Sequence, residues 1–311
     1  MTDTAKRSNA TDAHQEAAVL FIHAQTPLHP GSGTALGTVD LPVQRERHTQ
    51  WPIIPGSTLK GILRDACRRA GGKNGDLFAA FGPETAEAAT HAGALSLTDA
   101  RILAFPVRSL KGVFAWVTCP SVLERFARDV KLAKDNAALQ LPTPPKKDGA
   151  FCPENSSLLL EGNRLVLEEF EFERAGDADG VAQWIADRAF AKGDGFTPNR
   201  FEGHLVVLHD DDFTYFVRYA TEVLARVALD YERKTVKAGA LFYEEFLPTE
   251  TLFYSVVLAS PSRREGHGMS AREILAYLRD NMPPVLQIGG DETIGKGLCA
   301  VRLGTTEEGG S

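Results

Sequence analysis

The chain has 311 residues, 43% of them hydrophobic and 24% charged, with a formal net charge of -7. That balance excludes a nucleic-acid coat protein basic over a whole face, and suits a soluble fold of one large domain or two modest ones. No apolar run approaches the ~20 residues that cross a bilayer, and the polar start, residues 1–12, lacks a signal-peptide core. Cys67, Cys119, Cys152 and Cys299 are scattered, with no C-x-x-C pair. They read as buried reduced thiols, and the protein as cytoplasmic.

In chain order, residues 1–16 read as a disordered tail and 18–25 as a strand. Residues 57–70 form an amphipathic helix, with Leu59, Ile62, Leu63, Ala66, Cys67 and Ala70 on one face. Strands follow at 94–105 and 112–118, then a helix from Pro120 to about 134. Residues 140–157 are a loop rich in proline, lysine and serine. Leu158–Leu160 and Leu165–Phe172 suggest a hairpin turning at Gly162-Asn163. Helices are expected at 179–191 and 211–227, a hairpin at 229–247 turning near Ala238-Gly239, and a strand at 251–259. Helix 270–281, strand 284–288, a glycine-rich loop at 289–297, strand 298–303 and a tail from 304 to 311 complete the chain. This order is that of an α+β fold: an antiparallel sheet with helices and long insertions.

Three segments carry chemistry. The loop after the first strand holds His29, Asp40, Arg45, Glu46, Arg47 and His48 among glycines, and long loops of this kind are usually functional or disordered. His29 suits an acid, a base or a positioning group; Asp40 suits a base, a hard-metal ligand or a plain turn former. Next, Pro55-Gly56-Ser57-Thr58-Leu59-Lys60-Gly61 opens the helix with Ser57 as its N-cap. Lys60 in the first turn opposes the helix dipole unless an anion lies between. Lys60, Arg64 and Arg68 recur every four residues, which fits either a phosphodiester track or a solvated face. Finally, Gly290 to Lys296 reads G-x-x-x-x-G-K, but Gly297 stands where a P-loop needs Ser or Thr, and a strand-like run follows. The loop is no ATPase signature, yet its glycine N–H groups could cradle phosphate beside Lys296.

The segments HPGSG, VDLPVQRERHT, IPGSTLKGILR, GALFYEEFLP and GGDETIGKG together resemble the RAMP superfamily, in particular the backbone subunit of type III-B CRISPR effector (Cmr) complexes. The resemblance spans residues 20–303 and implies a ferredoxin-like (RRM-type) antiparallel-sheet palm with finger and thumb insertions. It makes residues 17–303 one RAMP domain, with insertions at about 140–210 and a thumb hairpin, for which 229–247 is favoured over 158–172. It implies copies stacked head-to-tail on a CRISPR RNA beside other Cmr subunits, each cutting complementary single-stranded target RNA once with a divalent metal, Mg2+ or Mn2+. By the same resemblance Asp40 is the cleaving aspartate and metal ligand and His29 the accessory histidine. A glutamate of the YEE segment, Glu244 or Glu245, also takes part. The guide path would run along Arg45, Arg47, Ser57, Lys60, Arg64, Gly289, Gly290 and Lys296. A non-catalytic guide-binding scaffold and a stand-alone endoribonuclease processing precursor RNA are the alternatives.

Overall fold

The computed structural model describes residues 15–304 except 35–36, 72–73, 88, 134–138 and 192. Most of the two expected tails lies outside these residues, although Glu16 already belongs to the first strand. That strand, β1 (Glu16–Ala24), is buried from Ala17 to Ala24, the signature of a central strand covered on both faces. A short β2 (Ile53–Ile54) precedes α1 (Gly56–Arg69), which buries Leu59, Leu63 and Cys67 at four-residue spacing. Helix α2 (Asn74–Phe81) packs on it, and β3 (Leu95–Leu97), β4 (Ala100–Arg108) and β5 (Phe114–Thr118) follow. Then come α3 (Pro120–Leu132), β6 (Gly149–Phe151), β7 (Arg164–Leu167), β8 (Phe170–Gly176), α4 (Asp179–Ala189), α5 (Thr197–His204), β9 (Leu205–Leu208) and α6 (Asp210–Tyr219). The chain ends with β10 (Glu222–Leu229), β11 (Val236–Phe246), β12 (Leu252–Ala259), α7 (Ala271–Asn281), β13 (Val285–Gln287) and β14 (Leu298–Leu303).

The main sheet runs β13-β14-β1-β12-β4-β5-β9-β6-β8-β7, with β2 on β4 and β3 on β12. Its heart is β1–α1–β4–β12–α7–β14, a β-α-β-β-α-β path whose strands pair antiparallel in the order β14-β1-β12-β4. That is the expected α+β, ferredoxin-like palm. Phe21 of β1 meets Phe126 of α3, with Trp184 of α4 behind it, while α7 also packs on β1. A capping box fixes the start of α7: Ser270 accepts from the Glu273 N–H, and the Glu273 side chain accepts from Ser270.

The insertion is longer than the expected 140–210. Everything between β4 and β12, from β5 to β11, is one excursion that widens the sheet and adds a second, two-stranded one. The helix expected at 211–227 is shorter than the pattern suggests, 10 residues ending at Tyr219. Phe213, Phe216 and Val217 form its buried face, and from Glu222 the chain instead pairs with β11. The hairpin therefore spans Glu222–Phe246, not 229–247, and turns at 230–235, where Asp230 accepts from the N–H groups of Glu232 and Arg233. Ala238 and Gly239 lie within β11. The turn at Gly162-Asn163 exists, with both residues at positive φ, but the hairpin proper is β7–β8.

Candidate functional site

The loop after β1 is not a free tether. It is stitched to its surroundings by single bridges, Leu28 to Leu247, Gly31 to Val43, Leu41 to Glu244 and Arg45 to Pro52. Around Asp40 the stitching is close. Asp40 and Leu41 donate their N–H groups to the Tyr243 carbonyl at 3.1 and 3.0 Å, and the Tyr243 N–H returns to Asp40 Oδ2 at 2.7 Å. Asp40 is half-buried, and its Oδ1 accepts no hydrogen bond among the described residues.

His29, in the same loop, is held by the same strand, β11. Its Nδ1 donates to the Glu245 carbonyl at 2.7 Å. A carbonyl only accepts, so the neutral ring carries its proton on Nδ1 and leaves a lone pair on Nε2. Nε2 faces Glu244 Oε1 at 3.7 Å, and the ring packs on Phe246. Asp40 and His29 thus hang from Tyr243 and Glu245, about 7 Å apart along β11 at ~3.3 Å per residue.

The two glutamates separate cleanly. Glu245 is buried with both oxygens engaged: Oε1 accepts from Arg45 Nη2 at 2.6 Å and Thr221 Oγ1 at 2.9 Å, and Oε2 from the Val43 N–H at 2.9 Å. Its role is to hold the loop. Glu244, buried too, points the other way, between His29 and Arg226 of β10, whose Nε is 3.4 Å from its Oε2. Burial pushes the Glu244 carboxyl up, the negative Asp291 adds to it, and His29 and Arg226 oppose it.

Most of the expected phosphate contacts have other partners. Arg45 gives Nη1 to the Gln50 and Val217 carbonyls, both at 2.8 Å, and Nη2 to Glu245, so three of its five N–H groups tie the loop to α6 and β11. Lys60 donates to the Leu95 carbonyl at 3.0 Å; burial, with Arg64 and Arg263 nearby, lowers its pKa. Arg64 donates to the Pro83 carbonyl at 2.9 Å, and Arg68 pairs with Glu84 at 2.6 Å. The stripe on α1 is thus a clamp on the following loop. Ser57 is not the N-cap: Pro55 holds that place, Asp99 accepts the Gly56 N–H at 2.8 Å, and Ser57 is exposed in the first turn. Arg47 is exposed and its guanidinium has no partner among the described residues.

The glycine loop also supports His29. Gly290 donates its N–H to the His29 carbonyl at 3.0 Å. Gly289, at φ 84°, lies so close that a Cβ there would meet that carbonyl oxygen at 2.3 Å. The Gly290 N–H is thereby already spent and cannot serve a phosphate. Lys296 remains available, its ammonium 5.0 Å above the Phe246 ring. Three residues escaped the sequence reading. Gly31 leaves room for His29, since a Cβ would meet Nε2 at 2.8 Å; Arg226 was hidden in an expected helix; Asp291 sat in a quoted motif without a role. The four cysteines are buried and free, and burial raises their pKa values, Cys67 and Cys152 to about 11 and Cys299 to about 12.

The RAMP superfamily model matches residues 21–300, which takes in the end of β1, the loop, the hairpin and the glycine loop together. The chain belongs to the RAMP superfamily. Among RAMP relatives, the Cmr endoribonuclease Cmr4 of the CRISPR system of Pyrococcus furiosus is 39% identical over 292 residues, covering 93% of this chain and 96% of its own. The Cmr subunit Cmr4 of Saccharolobus solfataricus is 26% identical over 301 residues, 91% of this chain and 94% of its own. The crystal structure of oligomeric Cmr4 from Pyrococcus furiosus superposes with a TM-score of 0.71 at 32% identity, covering 93% of this chain and 98% of that one. A chain of the type III-B Cmr-beta complex bound to cognate target RNA has the same TM-score at 23% identity, a likeness of fold alone.

Proposed function

We propose that this RAMP protein is the repeating backbone subunit of a type III-B CRISPR effector complex, binding CRISPR RNA and cutting complementary target RNA at regular intervals. Head-to-tail copies and other Cmr subunits are its partners, and the cytoplasm is its compartment. No described helix is long and apolar enough to cross a membrane. The observation that carries the reading is the pairing on β11: an open carboxylate oxygen on Asp40 and an imidazole of fixed tautomer on His29, in a chain 39% identical to a Cmr endoribonuclease.

In this reading Asp40 Oδ1 accepts the 2′-hydroxyl of an unstacked target nucleotide and turns it toward the in-line direction, which a regular helix forbids. His29 exchanges a proton through Nε2 at the scissile phosphate, with Nδ1 locked against the backbone. A divalent metal, Mg2+ or Mn2+, fits in one way. Among the described residues no trio of His, Cys, Asp or Glu forms a cage, and Mg2+ is commonly held by one or two carboxylates plus substrate phosphates. Asp40 Oδ1 would then be the protein oxygen on the ion instead of the acceptor of the 2′-hydroxyl, and the ion would polarise a phosphoryl oxygen.

The test is a reconstituted complex given labelled complementary RNA with and without magnesium. Evenly spaced fragments are expected from the wild type, and none from Asp40→Ala, which keeps guide and target binding. Target binding by the wild type without cuts would instead assign the chain a scaffold role, and cleavage of a repeat hairpin by the free monomer a processing role.

A further inference from the structure

Outside the pair on β11, one cluster ties three separate elements together through two part-buried charges around the buried Glu244. Arg226, opposite Phe242 in the hairpin, reaches across to Glu244 Oε2 at 3.4 Å and donates from Nη2 to Asp291 Oδ1 at 3.0 Å. Asp291 opens the 3-10 turn of the glycine loop in a left-handed conformation, φ 63°, uncommon for a residue with a side chain. Its second oxygen, Oδ2, is buried without a hydrogen-bond partner among the described residues. Buried polar atoms normally find one, and such exceptions concentrate at functional positions. The nearby group able to supply a donor is the Glu244 carboxyl when it carries a proton, since both carboxyls lie on the same Arg226 guanidinium.

We propose that Arg226 and Asp291 are positioning residues for Glu244 and, through it, for His29. Resting on the reading above, the proposal gives each element a part. The guanidinium, anchored by the Asp291 carboxylate of the glycine loop, holds Glu244 with its Oε1 3.7 Å from His29 Nε2. The imidazole is then anchored at Nδ1 by its hydrogen bond to the Glu245 carbonyl and flanked at Nε2 by the Glu244 carboxyl, 3.7 Å away. Two successive residues of β11 thus serve one ring, one by its backbone and one by its side chain. Any displacement of the hairpin by RNA reaches His29 through Arg226.

The experiment compares Arg226→Gln, Arg226→Lys, Asp291→Asn and Asp291→Gly in the reconstituted complex, with Asp40→Ala as the inactive reference. Glycine accepts the left-handed backbone, so Asp291→Gly removes the carboxylate without adding strain. Single-turnover cleavage at saturating target should fall about 10- to 100-fold in Arg226→Gln and Asp291→Gly, as expected of misplaced catalytic groups. Target affinity should stay within about twofold. Asp291→Asn, still an acceptor for Arg226, should lose less. Arg226→Lys should recover only part of the rate, because an ammonium lacks the fork that spans two carboxylates. Wild-type rates in Arg226→Gln and Asp291→Gly beside a dead Asp40→Ala, or a loss confined to RNA affinity, would overturn the proposal. An independent measurement uses the isolated chain: the 15N imidazole signals of His29, assigned by their loss in His29→Asn, should shift in Asp291→Asn. An unchanged His29 signal overturns the proposal even if a variant fails to assemble. A wild-type complex that never cuts RNA overturns the functional reading and leaves the His29 measurement standing.

Discussion

Adjacent residues with the same side chain, Glu244 and Glu245, have different surroundings, and strand alternation is the reason. The period of two sends Glu245 to the loop side, where Arg45, Thr221 and Val43 neutralise and satisfy it, and Glu244 to the Arg226 side, where Asp291 repels it. Burial and Asp291 raise the Glu244 pKa above its ordinary 4.5 in the fold. An acid raised on folding binds its proton more tightly in the native state, so its contribution is intact below 4.5 and is lost as pH rises through the folded value. Glu244→Gln mimics the protonated form at every pH. Its stability relative to wild type should therefore climb as pH increases from 4.5 to neutrality, read by denaturant melts across that range. A difference that stays flat, or falls, would show that Arg226 and His29 outweigh burial and the Asp291 charge.

Elements were more legible than the links between them. The apolar spacing of α1 and the buried run of β1 encode their own faces, so both emerge from sequence within a residue or two. What spacing cannot show is which distant carbonyl a cation meets. Lys60, Arg64 and Arg68 have the look of a phosphate track because their partners, Leu95, Pro83 and Glu84, lie 16–35 residues further on. The Ser57 cap fails for a similar reason: Asp99, 43 residues from Gly56, takes that N–H. Asp40 and His29 were visible only as residue types in a loop, since the strand that orders them comes some 200 residues later. The internal pairing has a measurable consequence. Lys60→Met should lower stability by about 1 kcal/mol, the scale of one hydrogen bond, and leave the salt dependence of RNA binding untouched. Arg47→Ala, which removes an unpartnered exposed cation, should do the reverse and reduce the slope of log affinity against log salt by about one. Equal slopes for the two variants would return Lys60 to the RNA path.

At the scale of the whole molecule, the widened sheet buries its strands well, whereas the β10–β11 hairpin stands apart as a separate two-stranded sheet. Pairing places Val227 opposite Leu241 and Ala225 opposite Tyr243 on one face, and these side chains are left open, Val227 48%, Leu241 53% and Tyr243 41% exposed. An isolated two-stranded hairpin is marginal in water, and an apolar face of this kind is normally covered by a partner. The strand that orders Asp40 and His29 is the same one that presents this face, so covering it would also steady the site. In a backbone of stacked copies the cover is the neighbouring subunit or the RNA duplex it carries. Sedimentation of the isolated chain should show concentration-dependent association, which Val227→Glu and Leu241→Glu reduce toward monomer without lowering the melting temperature, because neither side chain packs in the core. Hydrogen exchange of the hairpin amides should slow on assembly in the wild type and stay fast in both variants. Unchanged association in both variants would move the contact elsewhere on the sheet. A lowered melting temperature would mean that the face is already covered within the monomer.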